Sequence, residues 1–113
     1  MKTARPDYQV DPGPSPGAWV VRGVLRLDSP EAYARAFQPI AASLAKSPSV
    51  SIDLSQVVFL NSSGIRALAD LLLLAREKRC QVKLLGSAAV PWQKKLALSF
   101  TGLFPEFEIR LDR

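Results

Sequence analysis

The apolar positions fall into short runs separated by turn-forming residues. Ala18 to Leu27 carries Trp19, Val20, Val21, Val24, Leu25 and Leu27 and reads as a strand. Gly23 inside it signals a bulge, a bend or a close backbone approach. Asp28 or Ser29 then caps a helix, with Pro30 in its first turn and Glu31 at its positive end. That helix is expected to run to about Ala45, with a kink or break at Pro39, which lacks a backbone donor. Ser47 to Ser49 is a turn around Pro48. Val50 to Leu54 alternates apolar and polar residues as a short strand, and Val57 to Leu60 is a second apolar run. Ile65, Leu68, Ala69, Leu72 and Ala75 then recur at helical spacing and predict an amphipathic helix from Ser63 to Arg79. Gln81 to Leu85 reads as a strand and Gly86-Ser87 as a turn. A last helix is expected from Ala88 to Phe100, with Gly102 as its stop, and Phe107 to Leu111 alternates as a terminal strand.

The order strand, helix, strand, helix, strand, helix, strand predicts an α/β fold, with helices packed on a sheet through right-handed crossovers. No internal repeat is visible. Residues 1–17 read as a loosely ordered lead-in, because Pro12-Gly13-Pro14-Ser15-Pro16-Gly17 forbids regular structure; an edge strand over Tyr8 to Val10 is compatible with the pattern. Residues 18–113 form the single expected domain.

Composition narrows the function. With 48% apolar and 22% charged residues, the 113-residue chain is expected to fold. One cysteine, Cys80, and no histidine exclude an internal disulfide and leave no ligand set for a Cys/His zinc site, so no metal or cofactor is expected. The longest apolar run, Leu71 to Ala75, is far short of the roughly 18 residues of a membrane span. Met1 to Val10 carries Lys2 and Arg5 without a hydrophobic stretch, so no signal peptide and a cytoplasmic location are expected. The net charge of +5 raises nucleic acid as a partner, but the cations are scattered, no aromatic residues interleave with a basic stripe, and Arg76, Lys78 and Arg79 suit a helix C-terminus. Catalysis finds no histidine base, no paired carboxylates and no phosphate loop, so the chain is read as non-enzymatic. Trp92, beside Lys94 and Lys95, reads as a half-buried helix residue before it reads as a partner anchor.

The polar tetrad Asn61-Ser62-Ser63-Gly64 stands between an apolar run and an amphipathic helix. Asn61 and Ser62 both suit a helix N-cap, and Gly64 permits close backbone approach. Capping alone accounts for such residues. The same spot also favours a negative charge, and a phosphate on a hydroxyl there would meet the first helical turn and Arg66.

The stretch Ser51-Ile-Asp-Leu-Ser-Gln-Val-Val-Phe-Leu-Asn-Ser-Ser-Gly-Ile65 resembles the signature of the STAS family, the anti-sigma factor antagonists and their relatives. That signature has a strand ending in Asp-Leu, a spacer, and then Asp-Ser-Ser-Gly or Asp-Ser-Thr-Gly. Leu68 to Leu74, Val82 to Leu85 and Leu96 to Leu103 fall where the rest of the pattern wants them. The resemblance implies a STAS-like domain with a four- to five-stranded mixed sheet and helices mainly on one face. It implies partner switching: the unmodified domain binds a protein, often a serine kinase that doubles as an anti-sigma factor, and phosphorylation of the first serine releases it. By position that serine is Ser62, with Ser63 the second choice. Arg26, Asn61, Ser63, Gly64 and Arg66 are the candidates for partner or phosphate contact, in a monomer or weak dimer. A constitutive adaptor or subunit of a signalling or lipid-transport complex is the alternative.

Two positions depart from the family pattern. Asn61 replaces the usual aspartate, and Arg26, in Gly23-Val24-Leu25-Arg26, stands where an acid is common. Both changes remove negative charge around Ser62, so a phosphate there would meet less repulsion.

Overall fold

The computed structural model describes residues 7–112; positions 1–6 of the expected lead-in lie outside the described residues. The strands are β1 (Tyr8–Pro12), β2 (Ala18–Leu25), β3 (Ser49–Leu60), β4 (Gln81–Ser87) and β5 (Glu108–Asp112). The helices are α1 (Pro30–Ala36), α2 (Gln38–Lys46), α3 (Ser62–Lys78) and α4 (Pro91–Leu103). One mixed sheet runs in the order β1-β2-β3-β4-β5, with β1 antiparallel to β2 and the other neighbours parallel.

Burial alternates on β3: Val50, Ile52 and Leu54 are buried, whereas Ser51, Asp53 and Ser55 are half-buried. Tyr33, Ile40, Leu44, Leu68, Leu72, Leu96 and Phe100, drawn from all four helices, join the first set in one core. The helices therefore cover the Ile52 face of the sheet and leave the opposite face to solvent.

Local chemistry sets the boundaries. β1 is held by the turn through Gly13 to Gly17 and extends two residues beyond the expected Val10. Gly23 sits at φ +97°, in the conformation that favours glycine, where the β2–β3 register shifts; a Cβ there would overlap the Asp7 carbonyl. β2 ends at Leu25 rather than Leu27. Ser29 caps α1, its Oγ accepting from the Ala32 N–H at 3.1 Å. The expected break at Pro39 falls at Phe37, and Pro39 becomes an early residue of α2, where its missing N–H costs nothing.

Two further expectations are corrected. Val50–Leu54 and Val57–Leu60 are one 12-residue strand, β3, because Asp53 Oδ1 accepts from both the N–H (2.9 Å) and the Oγ (2.6 Å) of Ser55 and carries the chain through without a turn. The last helix begins at Pro91 rather than Ala88 and passes Gly102 to Leu103. Ser87 to Val90 form a turn before it, and the edge-to-face contact of Phe100 with Phe104 and the stacking of Phe104 on Phe107 continue the packing past the glycine.

Candidate functional site

β3 delivers the tetrad to the end of the sheet, and α3 starts from it. Asn61, in extended conformation, is the N-cap of α3, and Ser62 is its first helical residue. Asn61 Oδ1 accepts from the Gly64 N–H at 2.9 Å and from the Tyr33 hydroxyl at 2.6 Å. Its Nδ2 donates to the Leu27 carbonyl at 3.1 Å. The Asn61 N–H donates to the Leu25 carbonyl at 3.2 Å. One side chain thus ties together α1, the exit of β2 and the start of α3. The two backbone partners fix the orientation of the amide, since one is a donor and the other an acceptor.

Tyr33 anchors this arrangement from the core, where it is fully buried. Burial pushes its hydroxyl above the usual tyrosine range, a bond from the Leu27 backbone pulls the other way, and Tyr8 adds a smaller upward push. Gly64 is buried, and a Cβ on it would overlap the Leu60 side chain and meet the Tyr33 hydroxyl. A glycine is therefore required by close approach rather than by conformation.

Because Asn61 supplies the cap, Ser62 has no capping duty. Its residue is exposed, and its hydroxyl makes no hydrogen bond among the described residues. Ser62, Ser63 and Arg66 line one open hollow of about 560 Å³ with Pro30, Ala67 and Asp70. A second hollow, of about 190 Å³, continues from Pro30, Ala67 and Asp70 along the seam of α1, α2 and α3 to Leu74.

A STAS domain family model matches residues 20–113. The chain belongs to the STAS domain family. A crystal structure of an anti-sigma factor antagonist from Mycobacterium paratuberculosis is similar to it at 25% identity and a TM-score of 0.62, over 96% of this chain and 90% of that one. No curated protein matches the chain significantly. The single α/β domain with a five-stranded mixed sheet is the STAS fold of that antagonist.

Within this STAS domain the candidate residues divide. Asn61, Ser62, Ser63, Gly64 and Arg66 gather at the start of α3. Arg26 does not line the hollow; its guanidinium lies over the Phe59 ring, 5.0 Å from the centroid. Phe59 and Val58 are 39% and 67% exposed, and the Trp92 Nε1–H donates to the Val58 carbonyl at 3.0 Å. Trp92 is half-buried. An aspartate at position 61 could accept from Gly64 and Tyr33 but could not donate to the Leu27 carbonyl, so the amide adds a tether that an acid lacks.

Two further residues support the site without any motif to mark them, Tyr33 and Gln93. Gln93 is 2% exposed; its Nε2 donates to the carbonyls of Leu54 (2.8 Å) and Val57 (2.9 Å), and its Oε1 accepts from the Ser87 N–H (2.6 Å). It satisfies the part of β3 that has run beyond its pairing with β4 and so supports the approach to the tetrad. The Ser29-Pro30 cap near Tyr33 was the available hint for the first, but nothing marked Gln93. Among the described residues no cluster of three or more His, Cys, Asp or Glu side chains could hold a metal, and no helix is long and apolar enough to cross a membrane.

Proposed function

We propose that this chain is a partner-switching protein of the anti-sigma factor antagonist kind, acting in the cytoplasm on transcription. Its unmodified form binds a regulatory protein of the serine kinase/anti-sigma type around Ser62, and phosphorylation of Ser62 releases it. The role is binding rather than catalysis. The observation that carries the reading is the division of labour at the start of α3: Asn61 holds the helix end while the Ser62 hydroxyl stays exposed and unbonded. In the transfer, Ser62 Oγ bonds to the γ-phosphorus of ATP, the bond to ADP breaks, and the hydroxyl proton passes to a base on the kinase.

The test is incubation with ATP and a serine kinase encoded beside the gene, read by intact mass and peptide mapping, followed by partner recovery for wild type, Ser62→Ala and Ser62→Asp. Modification at Ser62, with loss of the kinase from Ser62→Asp, is expected. Equal recovery by all three forms would sink control through Ser62.

A second reading is a constitutive adaptor in a signalling or lipid-transport complex. The apolar pair Val58 and Phe59, exposed beside the tetrad, favours it, since such a patch suits a lasting interface. It predicts co-purification of a partner that ATP does not release.

A further inference from the structure

Ser62, Arg66 and Asp70 follow one another at four-residue spacing on α3 and line the same hollow. Side chains at that spacing are neighbours on a helix face. In the unmodified protein Arg66 Nε lies 3.9 Å from Asp70 Oδ1, with the two side chains 83% and 63% exposed. The pair is loose, and its order along the helix is the weaker one, cation before anion. Ser62 stands in the opposite relation to Arg66: an anion at position 62 precedes the cation by four residues, which is the stronger order. A serine phosphate brings nearly two negative charges and three acceptor oxygens, which a guanidinium can engage through two parallel bonds.

We infer that Arg66 is a phosphate-binding residue of the modified protein, exchanging Asp70 for the phosphate on Ser62. The inference rests on the reading of Ser62 as a phosphoacceptor. The exchange has two consequences. The phosphate is partly neutralised within its own chain, beside a cap, Asn61, that carries no charge to repel it. The Asp70 carboxylate is left without its cation two helical turns from the modified serine. Asp70 also borders the second hollow, beside Leu71 and Leu74, so a partner seated along that seam meets a carboxylate that has lost its cation, without touching the phosphate.

The test uses the whole chain with phosphoserine incorporated at position 62 during translation, which requires no kinase. Phosphorus NMR follows the ionisation of the phosphate in this protein and in the same protein carrying Arg66→Gln, a change at an exposed side chain that carries no packing. With Arg66 present the second ionisation is expected about half a unit lower than in Arg66→Gln. In Asp70→Asn it falls further, because the competing carboxylate is gone. Superimposable titrations of the parent and Arg66→Gln overturn the exchange, as does a rise in Asp70→Asn. Failure of every kinase to modify Ser62 would instead remove the switch reading, and the two failures are told apart because only one experiment involves a kinase.

Discussion

The Tyr33 hydroxyl lies 2.6 Å from Asn61 Oδ1, joining a core side chain of α1 to the cap of α3. Tyr33→Phe keeps the packing and removes this bond. A loss of about 1–2 kcal/mol in unfolding free energy is expected by chemical denaturation. Faster hydrogen exchange at Gly64 should accompany it, because Asn61 then holds that N–H with less support. The raised ionisation of the hydroxyl adds a sign: the stability it confers is complete below about pH 10 and is lost as pH rises through the higher folded value. Tyr33→Phe should lack that alkaline decline.

Gly64→Ala sets two effects against each other. Alanine improves helix propensity by about 1 kcal/mol, whereas overpacking a filled site costs about 1–3 kcal/mol. The overlap involves buried Leu60 and the bonded Tyr33 hydroxyl, neither of which is free to withdraw. Net destabilisation, read as a lower denaturation midpoint, is expected, together with displacement of the Tyr33 hydroxyl resonance.

Gln93→Leu preserves approximate size and removes three bonds at once. The carbonyls of Leu54 and Val57 lose their donor, and the Ser87 N–H loses its acceptor. A loss of about 3 kcal/mol or more is expected from urea titration, since buried polar groups left unpaired cost more than a bond contributes.

Arg76 and Glu106 pair at the other end of α3, where Arg76 also donates to the Leu103 carbonyl at 2.9 Å and lies over Phe104. The hydrogen bond from Arg76 is the main cause holding the Glu106 carboxyl below its ordinary range. The pair's contribution is complete above the unfolded glutamate value of about 4.3 and fades as pH falls through the lower folded one. Melting temperatures from about pH 6 down to pH 3 should fall less steeply for Glu106→Gln than for the wild type, by a small margin because the pair is exposed.

The alternation of strands and helices was legible because periodicity reports burial directly, and the tetrad because a polar cap interrupts it. β3 reads as two pieces in the sequence because Asp53 and Ser55 have the composition of a turn; their mutual bonds, together with Gln93, let the strand continue. The helix past Gly102 was missed for a related reason: the aromatic packing that sustains it depends on Phe104 and Phe107, which come later in the chain. Arg26 entered the candidate set through the resemblance to the family pattern, whereas its place over the Phe59 ring, just past the end of β2, depends on a strand far along the chain. Tyr33 and Gln93 carry no motif of their own, because the bonds that tie them to the site, from Tyr33 to Asn61 and from Gln93 to Leu54 and Val57, reach partners 28 to 39 residues away.

The bare face of the sheet also gives the molecule a handle. Glu108 is exposed on β5, in register with Lys83 of β4 and hence with Ser51 of β3, the row opposite the helices. Cys80 is buried, and burial pushes its thiol above the usual range, so it competes poorly for alkylating reagents. A Glu108→Cys protein can therefore take a dye or a tether at one position with the native cysteine left in place. The attachment sits on the layer facing away from α3, so the protein can be coupled to a support with Ser62 still presented to whatever is passed over it.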